Sequence, residues 1–328
     1  MSSKSSIEFK HVYSLTSEWM TKFSTELGCT IVNDTIMHFP KHLAEGSSYF
    51  LNIHPDMSVF VFDMIHKQSV NFSRMPVEEA YWILYYDLSD DNNQHVIKNI
   101  KHSVGENSKL SFAIMDSRTQ SAYISKKGVR EFSLRILVRK SFITQLLHTK
   151  QLSNNISQML DNELFFYGLI DSKSKSILFD LKKKKIDSPF YNLLINSVAY
   201  NLLGFFLEKQ SQFNMDDENS IFERDRDAIL KSHEFLIADL TVPFPGIETL
   251  VQIANMSITK YRRLYKSIYK TTPVAFFRTE KLLYAKQLME TGNFRSISEI
   301  AFSLGYNNVN HFMIIYKKQF GSCPFDEI

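Results

Sequence analysis

Arg262 and Arg263 stand side by side in the stretch Ile258-Thr259-Lys260-Tyr261-Arg262-Arg263-Leu264-Tyr265-Lys266. Wound as a helix, this stretch places Thr259, Arg262, Arg263 and Lys266 on one face and Tyr261, Leu264, Tyr265 and Ile268 on the other. The first set is presented and the second packs. Paired guanidinium groups suit the hydrogen-bond acceptors of guanine edges, or the phosphates beside them. One amphipathic helix with two arginines is more often just a solvated face, so the weight falls on its surroundings.

Those surroundings occur twice. Ile247 to Ser257 is followed by the arginine helix, and Ile297 to Asn307 is followed by Asn308-Val309-Asn310-His311-Phe312-Met313-Ile314-Ile315-Tyr316-Lys317-Lys318. Leu250 matches Ile300, Asn255 matches Gly305 and Met256 matches Tyr306 at an offset of 50. With one inserted residue, Tyr261 matches Phe312, Tyr265 matches Tyr316, Lys266 matches Lys317 and Pro273 matches Pro324. The elements that must position the presented residues are therefore two short helix-turn-helix units. A helix near Ile247 to Ala254 is expected to end at Asn255 in the left-handed conformation, as its counterpart ends at Gly305. Ser257 is expected to cap the first presented helix and Asn307 the second.

Between the units a long helix is expected, started by Pro273 and stopped by Gly292. Val274 to Thr291 gives a strut of roughly 27 Å, against roughly 34 Å for a turn of B-DNA. Phe276, Phe277, Leu282, Leu283, Ala285, Leu288 and Met289 offer apolar surface to hold both units to it. A duplicated unit of this kind usually reads two neighbouring stretches of duplex, so DNA binding is the leading expectation.

From about Ile221 to the C-terminus the residues resemble the AraC/XylS-type transcription regulators. The resemblance rests on Ala254-Asn255-Met256-Ser257, Arg263-Leu264-Tyr265-Lys266, Ala285-Lys286-Gln287-Leu288-Met289 and above all Ile297-Ser298-Glu299-Ile300-Ala301-Phe302-Ser303-Leu304-Gly305-Tyr306. Phe312, Tyr316-Lys317-Lys318-Gln319-Phe320-Gly321 and Pro324 extend it. It implies base contacts from Thr259, Arg262 and Arg263 in the first helix and from Asn307, Asn310 and Ile314 in the second. Ser257, Lys260, Lys266, His311, Lys317 and Lys318 complete the expected DNA-facing set, with His311 placed nearer the core side. Two departures stand out: Asn255 replaces the usual turn glycine, and Ile314 sits where an arginine is common. The second helix is accordingly expected to touch thymine methyl groups or anchor phosphates through Lys317 and Lys318.

Charge agrees with this placement. Residues 245–320 carry 11 Lys+Arg against 4 Asp+Glu, a net +7, while the whole chain is only +3 and the remainder therefore −4. Lys182-Lys183-Lys184-Lys185 lies outside that lobe and reads as a solvated loop.

The first 150 residues differ in kind. Ser58-Val59-Phe60-Val61-Phe62, Ala80 to Tyr86, Leu110 to Ile114, Ser121 to Ile124 and Phe132 to Val138 read as strands between polar turns. Ser141 to Leu147 reads as a helix cap and start. By architecture, not by motif, this segment is similar to the cupin-like barrel that binds a small effector in AraC-type regulators. The histidines His38, His42, His54, His66, His95 and His102 form no tight cluster. A metal or enzymatic barrel tethered to a DNA-binding lobe is the alternative, and it needs three or four converging ligands. Residues 151–219 read as helical, with Leu160 to Ile170 packed and a second helix starting at Asp187-Ser188-Pro189 and running to about Phe213. Its stripe Leu194, Val198, Leu202, Phe205 and Phe206 either packs on the barrel or forms a dimer seam. Gln210 to Ser220 reads as a linker.

With 328 residues, 44% hydrophobic and 13% aromatic, the chain can fill two or three cores. It has no apolar run near the roughly 18 residues that span a membrane. Met1-Ser2-Ser3-Lys4-Ser5-Ser6 leads into no apolar signal region, and Cys29 and Cys323 have no metal-ligand spacing, so a cytoplasmic chain with free thiols is expected. The expected architecture is multidomain, with a β-rich cupin-like barrel or sandwich plus helices at the N-terminus and an all-α C-terminal domain. The latter holds two helix-turn-helix motifs joined by a long helix. The divisions are 1–150 for sensing and dimerisation, 151–219 for helices and linker, and 220–328 for DNA binding. No enzymatic activity and no cofactor are expected. The expected partners are double-stranded DNA, a second copy, RNA polymerase and a small-molecule effector, with no membrane.

Overall fold

The computed structural model describes residues 7–97, 100–105, 110–147, 154–161, 165–168, 170–211, 223–269, 271–290, 294 and 296–327. They fall in two compact units, Met1–Asn214 and Met215–Ile328.

The first unit is built on two sheets. Strands β1 (Ile7–His11), β6 (Val70–Arg74), β11 (Ser121–Ile124), β8 (Asn93–Ile97) and β9 (Ile100–Val104) make one, in that spatial order. The other runs β13 (Phe165–Gly168), β10 (Phe112–Asp116), β7 (Tyr81–Asp87), β12 (Arg130–Arg139), β5 (Met57–His66), β4 (Ala44–His54), β3 (Ile36–His38) and β2 (Thr30–Val32). Pairing is antiparallel in the second sheet, whereas β1 and β6 are parallel, with Ile7 opposite Val70 and His11 opposite Arg74. The inward faces share one core with helix α1 (Trp19–Leu27). Phe9, Tyr123 and Ile97 from one sheet meet Phe60, Tyr85 and Leu137 from the other, and Trp19 and Phe23 fill the space between. The ring pairs Trp19–Phe23 and Phe9–Phe23 meet edge to face at 5.2 and 4.5 Å, the arrangement ring quadrupoles favour.

All seven residues of β7 are buried, so neither face of that strand meets solvent. What covers its outer side is helical. After α2 (Lys140–Leu146), α3 (Asn154–Asp161) and α4 (Ser172–Lys182) comes α5 (Tyr191–Ser211). Phe206 of α5 meets Trp82 at 6.2 Å and Phe112 at 5.9 Å, and Tyr191 meets Tyr49 at 4.9 Å. Val198, Leu202 and Phe206 are buried here, with Leu194 and Phe205 half-buried. The stripe read as a possible dimer seam is thus spent on its own sheet.

Several local expectations are corrected. The stretch Leu160 to Ile170 is not one helical run, because β13 pairs along β10 within it, where ladder hydrogen bonds override the apolar pattern. The helix expected from Ser141 starts at Lys140 without a side-chain cap. Lys182 is no solvated loop residue, since its Nζ donates to the Leu88 carbonyl and to Asp90, both at 2.6 Å. Gln210 and Ser211 close α5, and the rest of the expected linker, like Phe213 and Gly292, lies outside the described residues. His66 and His95, read as scattered, line one interior cavity together with His11. His38 sits on β3 with Nδ1 hydrogen-bonded to Ser47 at 2.8 Å, and His54 stacks on Phe142 at 4.1 Å.

Among the described residues no group of three His, Cys, Asp or Glu side chains could hold a metal ion, and no helix is long and apolar enough to cross a membrane. Cys29 and Cys323 are not joined by a disulfide, and burial pushes the Cys29 thiol up to about 12.

Candidate nucleic-acid interface

The second unit holds α6 (Glu223–Ile237), α7 (Ile247–Ala254), α8 (Ile258–Tyr269), α9 (Pro273–Glu290), α10 (Ile297–Ser303) and α11 (Val309–Phe320), with a 3-10 turn at Pro324–Glu327. Its two turns are the same object built twice. The Asn255 N–H donates to the Gln252 carbonyl at 3.1 Å and the Met256 N–H to the Val251 carbonyl at 3.0 Å. At the offset of 50, the Gly305 N–H donates to Phe302 and the Tyr306 N–H to Ala301, both at 2.9 Å. Both form the paired bonds that close a helix through a left-handed residue, with φ of 50° at Asn255 and 74° at Gly305. A Cβ on Gly305 would stand 2.9 Å from the Thr241 carbonyl oxygen, so this turn needs glycine for space as well as for φ. Asn255 is exposed and holds its φ without glycine.

The inserted residue decides the second cap. Ser257 Oγ accepts from the Lys260 N–H at 3.3 Å as expected, but Asn308 rather than Asn307 caps α11, its Oδ1 accepting from the His311 N–H at 3.0 Å. The offset is 50 through Tyr306 and 51 from the cap onward, so Asn307 is the extra residue, and it is exposed.

Each presented helix is seated through its aromatic face. Tyr261, Leu264 and Tyr265 of α8 are buried, and α6, which the sequence pattern did not reveal, supplies their polar partners. The Tyr261 hydroxyl meets Ser232 Oγ at 2.9 Å, the Tyr265 hydroxyl meets His233 Nδ1 at 2.8 Å, and His233 stacks on Tyr269 at 4.0 Å. Burial pushes the Tyr261 hydroxyl up to about 12 and raises that of Tyr265 as well, so both stay protonated. In the second half Phe312 and Tyr316 of α11 are fully buried against Leu282, Ala285, Met289, Ile300 and Leu304.

The strut α9 spans 18 residues, about 27 Å at 1.5 Å per residue. It also fixes the second turn directly. Lys281 Nζ donates to the Leu304 carbonyl at 2.8 Å and to the Val242 carbonyl at 2.7 Å, with the Phe277 and Tyr306 rings at 5.0 and 5.7 Å. One buried ammonium thereby ties the end of α10 to the loop ahead of α7, and burial lowers its pKa.

Every residue of the expected DNA-facing set is exposed: Ser257, Thr259, Lys260, Arg262, Arg263 and Lys266 around α8, and Asn307, Asn310, His311, Ile314, Lys317 and Lys318 around α11. His311 faces solvent rather than the core side, because Phe312 and Tyr316 alone occupy the buried stripe of α11. Ile314 is 67% exposed, with Met313 beside it half-buried. Lys260 is held to Asp225 of α6 by contacts of 2.8 and 2.9 Å, which partly commits it within the unit.

Two helix-turn-helix units on a shared strut define the class of this domain, a tandem helix-turn-helix fold. The helix-turn-helix domain family matches residues 250–326. This C-terminal unit is a helix-turn-helix domain of the AraC/XylS type. The virulence regulon transcriptional activator VirF of Yersinia enterocolitica is 32% identical over 70 residues, 21% of this chain and 26% of that protein. The regulator AlkR of Acinetobacter baylyi is 33% identical over 78 residues, 24% of this chain and 25% of its own length. The matches thus span about a quarter of each of these relatives. Among solved structures, ToxT of Vibrio cholerae is 16% identical, covering 83% of this chain and 97% of that one with a TM-score of 0.32.

Proposed function

We propose that this chain is a sequence-specific regulator of transcription that binds adjacent major-groove segments of duplex DNA through α8 and α11. The observation that carries the reading is the repeated turn: the same two backbone bonds, each followed by a side-chain cap, launch two helices whose outer faces present polar and basic side chains, with Ile314 the apolar exception on α11. On this reading Thr259, Arg262, Arg263, Asn307, Asn310, His311 and Ile314 meet base edges. Ser257, Lys260, Lys266, Lys317 and Lys318 hold phosphates. The chain is not an enzyme on this reading, and it acts in the cytoplasm with RNA polymerase as a partner.

Selection of bound duplex from a random pool is the test. The enriched motif is expected to show two segments about one helical turn apart, with less information in the segment read by α11. Arg262 and Arg263 can each fork onto a base, whereas Ile314 can only touch a thymine methyl. A pool with no enriched motif would count against sequence-specific reading, and equal information in both segments against the unequal roles.

The first unit we propose as the dimerisation and effector-sensing half. With the inner stripe of α5 packed on the sheet, its outer face carries Phe190 just ahead of the helix, then Leu193, Ser197, Tyr200 and Gly204 at alternating spacings of three and four. Phe190 is 67%, Leu193 69% and Tyr200 43% exposed. A Cβ on Gly204 would meet nothing within 4 Å, so no contact among the described residues requires glycine in mid-helix, where it costs about 0.5–1 kcal/mol relative to Ala. A second copy of α5 crossing closely there supplies a reason. Sedimentation of the full chain is expected to give a dimer, and Leu193→Glu with Tyr200→Glu a monomer that binds DNA more weakly for want of an intramolecular second contact. A wild-type monomer at micromolar concentration, or a variant that sediments unchanged, excludes this seam. An effector would act by binding the two arrangements of the dimer with different affinity.

A further inference from the structure

The repeat in the second unit reaches further back than its two turns. At the offset of 50, the first residue of α6, Glu223, falls on Pro273, the first of α9. Helix α6 therefore stands to α7 and α8 as α9 stands to α10 and α11, each supporting the presented helix of its own half. The supporting chemistry differs. Ser232 and His233 of α6 meet the Tyr261 and Tyr265 hydroxyls of α8, whereas Leu282 of α9, the match of Ser232, packs with Phe312 in an apolar cluster.

The halves also differ at the outer face. Asp225, in the first turn of α6, meets Lys260 of α8 with both carboxylate oxygens, Oδ1 at 2.9 Å and Oδ2 at 2.8 Å from Nζ. The matching positions of the second half are Ala275 on α9 and, past the inserted residue, His311 on α11, so the pair belongs to the first half alone. Nothing about the seating of α8 calls for it, since the Ser232–Tyr261 and His233–Tyr265 contacts already hold α6 to α8 in the buried layer. The pair is also open to water, with the Asp225 side chain 18% and the Lys260 side chain 43% exposed. Ion pairs in such a setting contribute little to stability.

What the pair does is occupy a cation of the DNA-facing set. Lys260 lies three residues past the Ser257 cap, at the leading end of α8. Its ammonium is a compact point charge on a flexible four-carbon stem, which lets it change partners. A carboxylate and a phosphate both offer it anionic oxygens. Asp225 is held in place instead, near the N-terminal end of α6, where the helix macrodipole favours a negative charge. It keeps that compensation and its contact with water when Lys260 leaves, so the exchange strands no buried charge.

We propose that Asp225 is an internal stand-in for a DNA phosphate, which Lys260 exchanges for a real one when α8 docks. Every complex then begins by breaking the ion pair, so affinity is set below what the cations of this face would give alone. Because a phosphate contact carries no sequence information, the penalty is the same on every sequence. The inference rests on the reading of α8 as a DNA-facing helix.

Anisotropy titrations of the full chain on its selected duplex and on a scrambled duplex test it. Asp225→Asn, close in size and without the charge, is expected to tighten binding about two- to fivefold on both duplexes. The gain is expected to be largest at low salt, where the pair is least screened. Should that variant fail to fold, Asp225→Ser, also neutral and suited to a helix start, is expected to give the same gain. Loss of a negative charge near DNA helps any complex to some degree, so the deciding comparison removes Lys260. In a Lys260→Met background, Asp225→Asn is expected to give less than about half of its gain on a logarithmic scale. Lys260→Met is likewise expected to weaken binding more in the Asp225→Asn protein than in the wild type. An equal gain with and without Lys260, no gain, a gain confined to the selected duplex, or a loss of affinity overturns the proposal. A loss would make Asp225 a residue that aims Lys260 rather than one that competes for it. Wild-type protein that binds neither duplex removes the regulator reading and this inference with it, whereas DNA binding indifferent to Asp225 removes this inference alone.

Discussion

Arg262→Ala and Arg263→Ala are each expected to weaken binding to the selected duplex by about 1–3 kcal/mol, roughly 5- to 150-fold in Kd. The basis is position. Both side chains are exposed on α8, whose opposite face is locked by Tyr261 and Tyr265 into α6, so the helix presents them on a rigid support. An arginine that forks onto a guanine edge carries discrimination, and its loss flattens preference at one position of the first segment. An arginine that holds a phosphate carries none, and its loss weakens all sequences alike while lowering the salt slope by about 0.9. Anisotropy titrations at several salt concentrations, on the selected duplex and on single-base variants, distinguish these outcomes for each residue. Affinity and salt slope unchanged in both variants would remove α8 from the interface.

The second large effect concerns stability rather than contact. Phe312→Ala is expected to destabilise the C-terminal unit by about 3–5 kcal/mol, the cost of deleting a buried aromatic ring and leaving part of its cavity. Phe312 is fully buried, 5.1 Å from the Tyr306 ring in the turn and 5.8 Å from the Tyr316 ring one helical turn on. Its loss unseats α11 and the turn that aims it together. Against a typical domain stability of about 5–15 kcal/mol, that brings the unit close to its threshold. Chemical denaturation followed by a probe in this unit measures the change. A loss below about 1 kcal/mol, small against the usual range for such a truncation, would mean that the second half is held by other contacts.

The C-terminal unit was largely legible because its signals are local. Helical spacing marked Tyr261, Leu264, Tyr265, Phe312 and Tyr316 as the packed faces, and all five are buried. Asn255 and Gly305 stood out as the left-handed turns, and both are. The cap of α11 was misplaced by one residue because either Asn307 or Asn308 satisfies the chemistry of a cap. Only the backbone shows that the inserted residue precedes it. The helix α6 went unread because its sequence is rich in charge, with Ser232 and His233 where an apolar stripe would have announced it. Two buried tyrosine hydroxyls needing partners were its available trace. In the first unit β5, β7, β10, β11 and β12 were legible from their composition. By contrast β4 carries Gly46, Ser47, Ser48 and Asn52, residue types more common in turns than in strands. The pairing of β1 with β6 joins distant residues and leaves no local mark. The cavity was hidden for the same reason, since His11, His66, His95 and Arg135 converge only once the sheets face each other.

On the proposed two-segment reading, the strut α9 also acts as a gear between two screws of different pitch. Each residue added to it would advance the second helix-turn-helix by about 1.5 Å and turn it by about 100°. Each base pair added between the two DNA segments advances the target by about 3.4 Å and turns it by about 34°, from a repeat of 10–10.5 pairs per turn. No small insertion in the protein therefore matches a small insertion in the DNA. With Lys281 locking the phase of the second turn to this strut, the length of α9 and the spacing of its target can change only together and in large steps. Sequence in either segment can drift one base at a time, but the distance between the segments is held fixed by the helix.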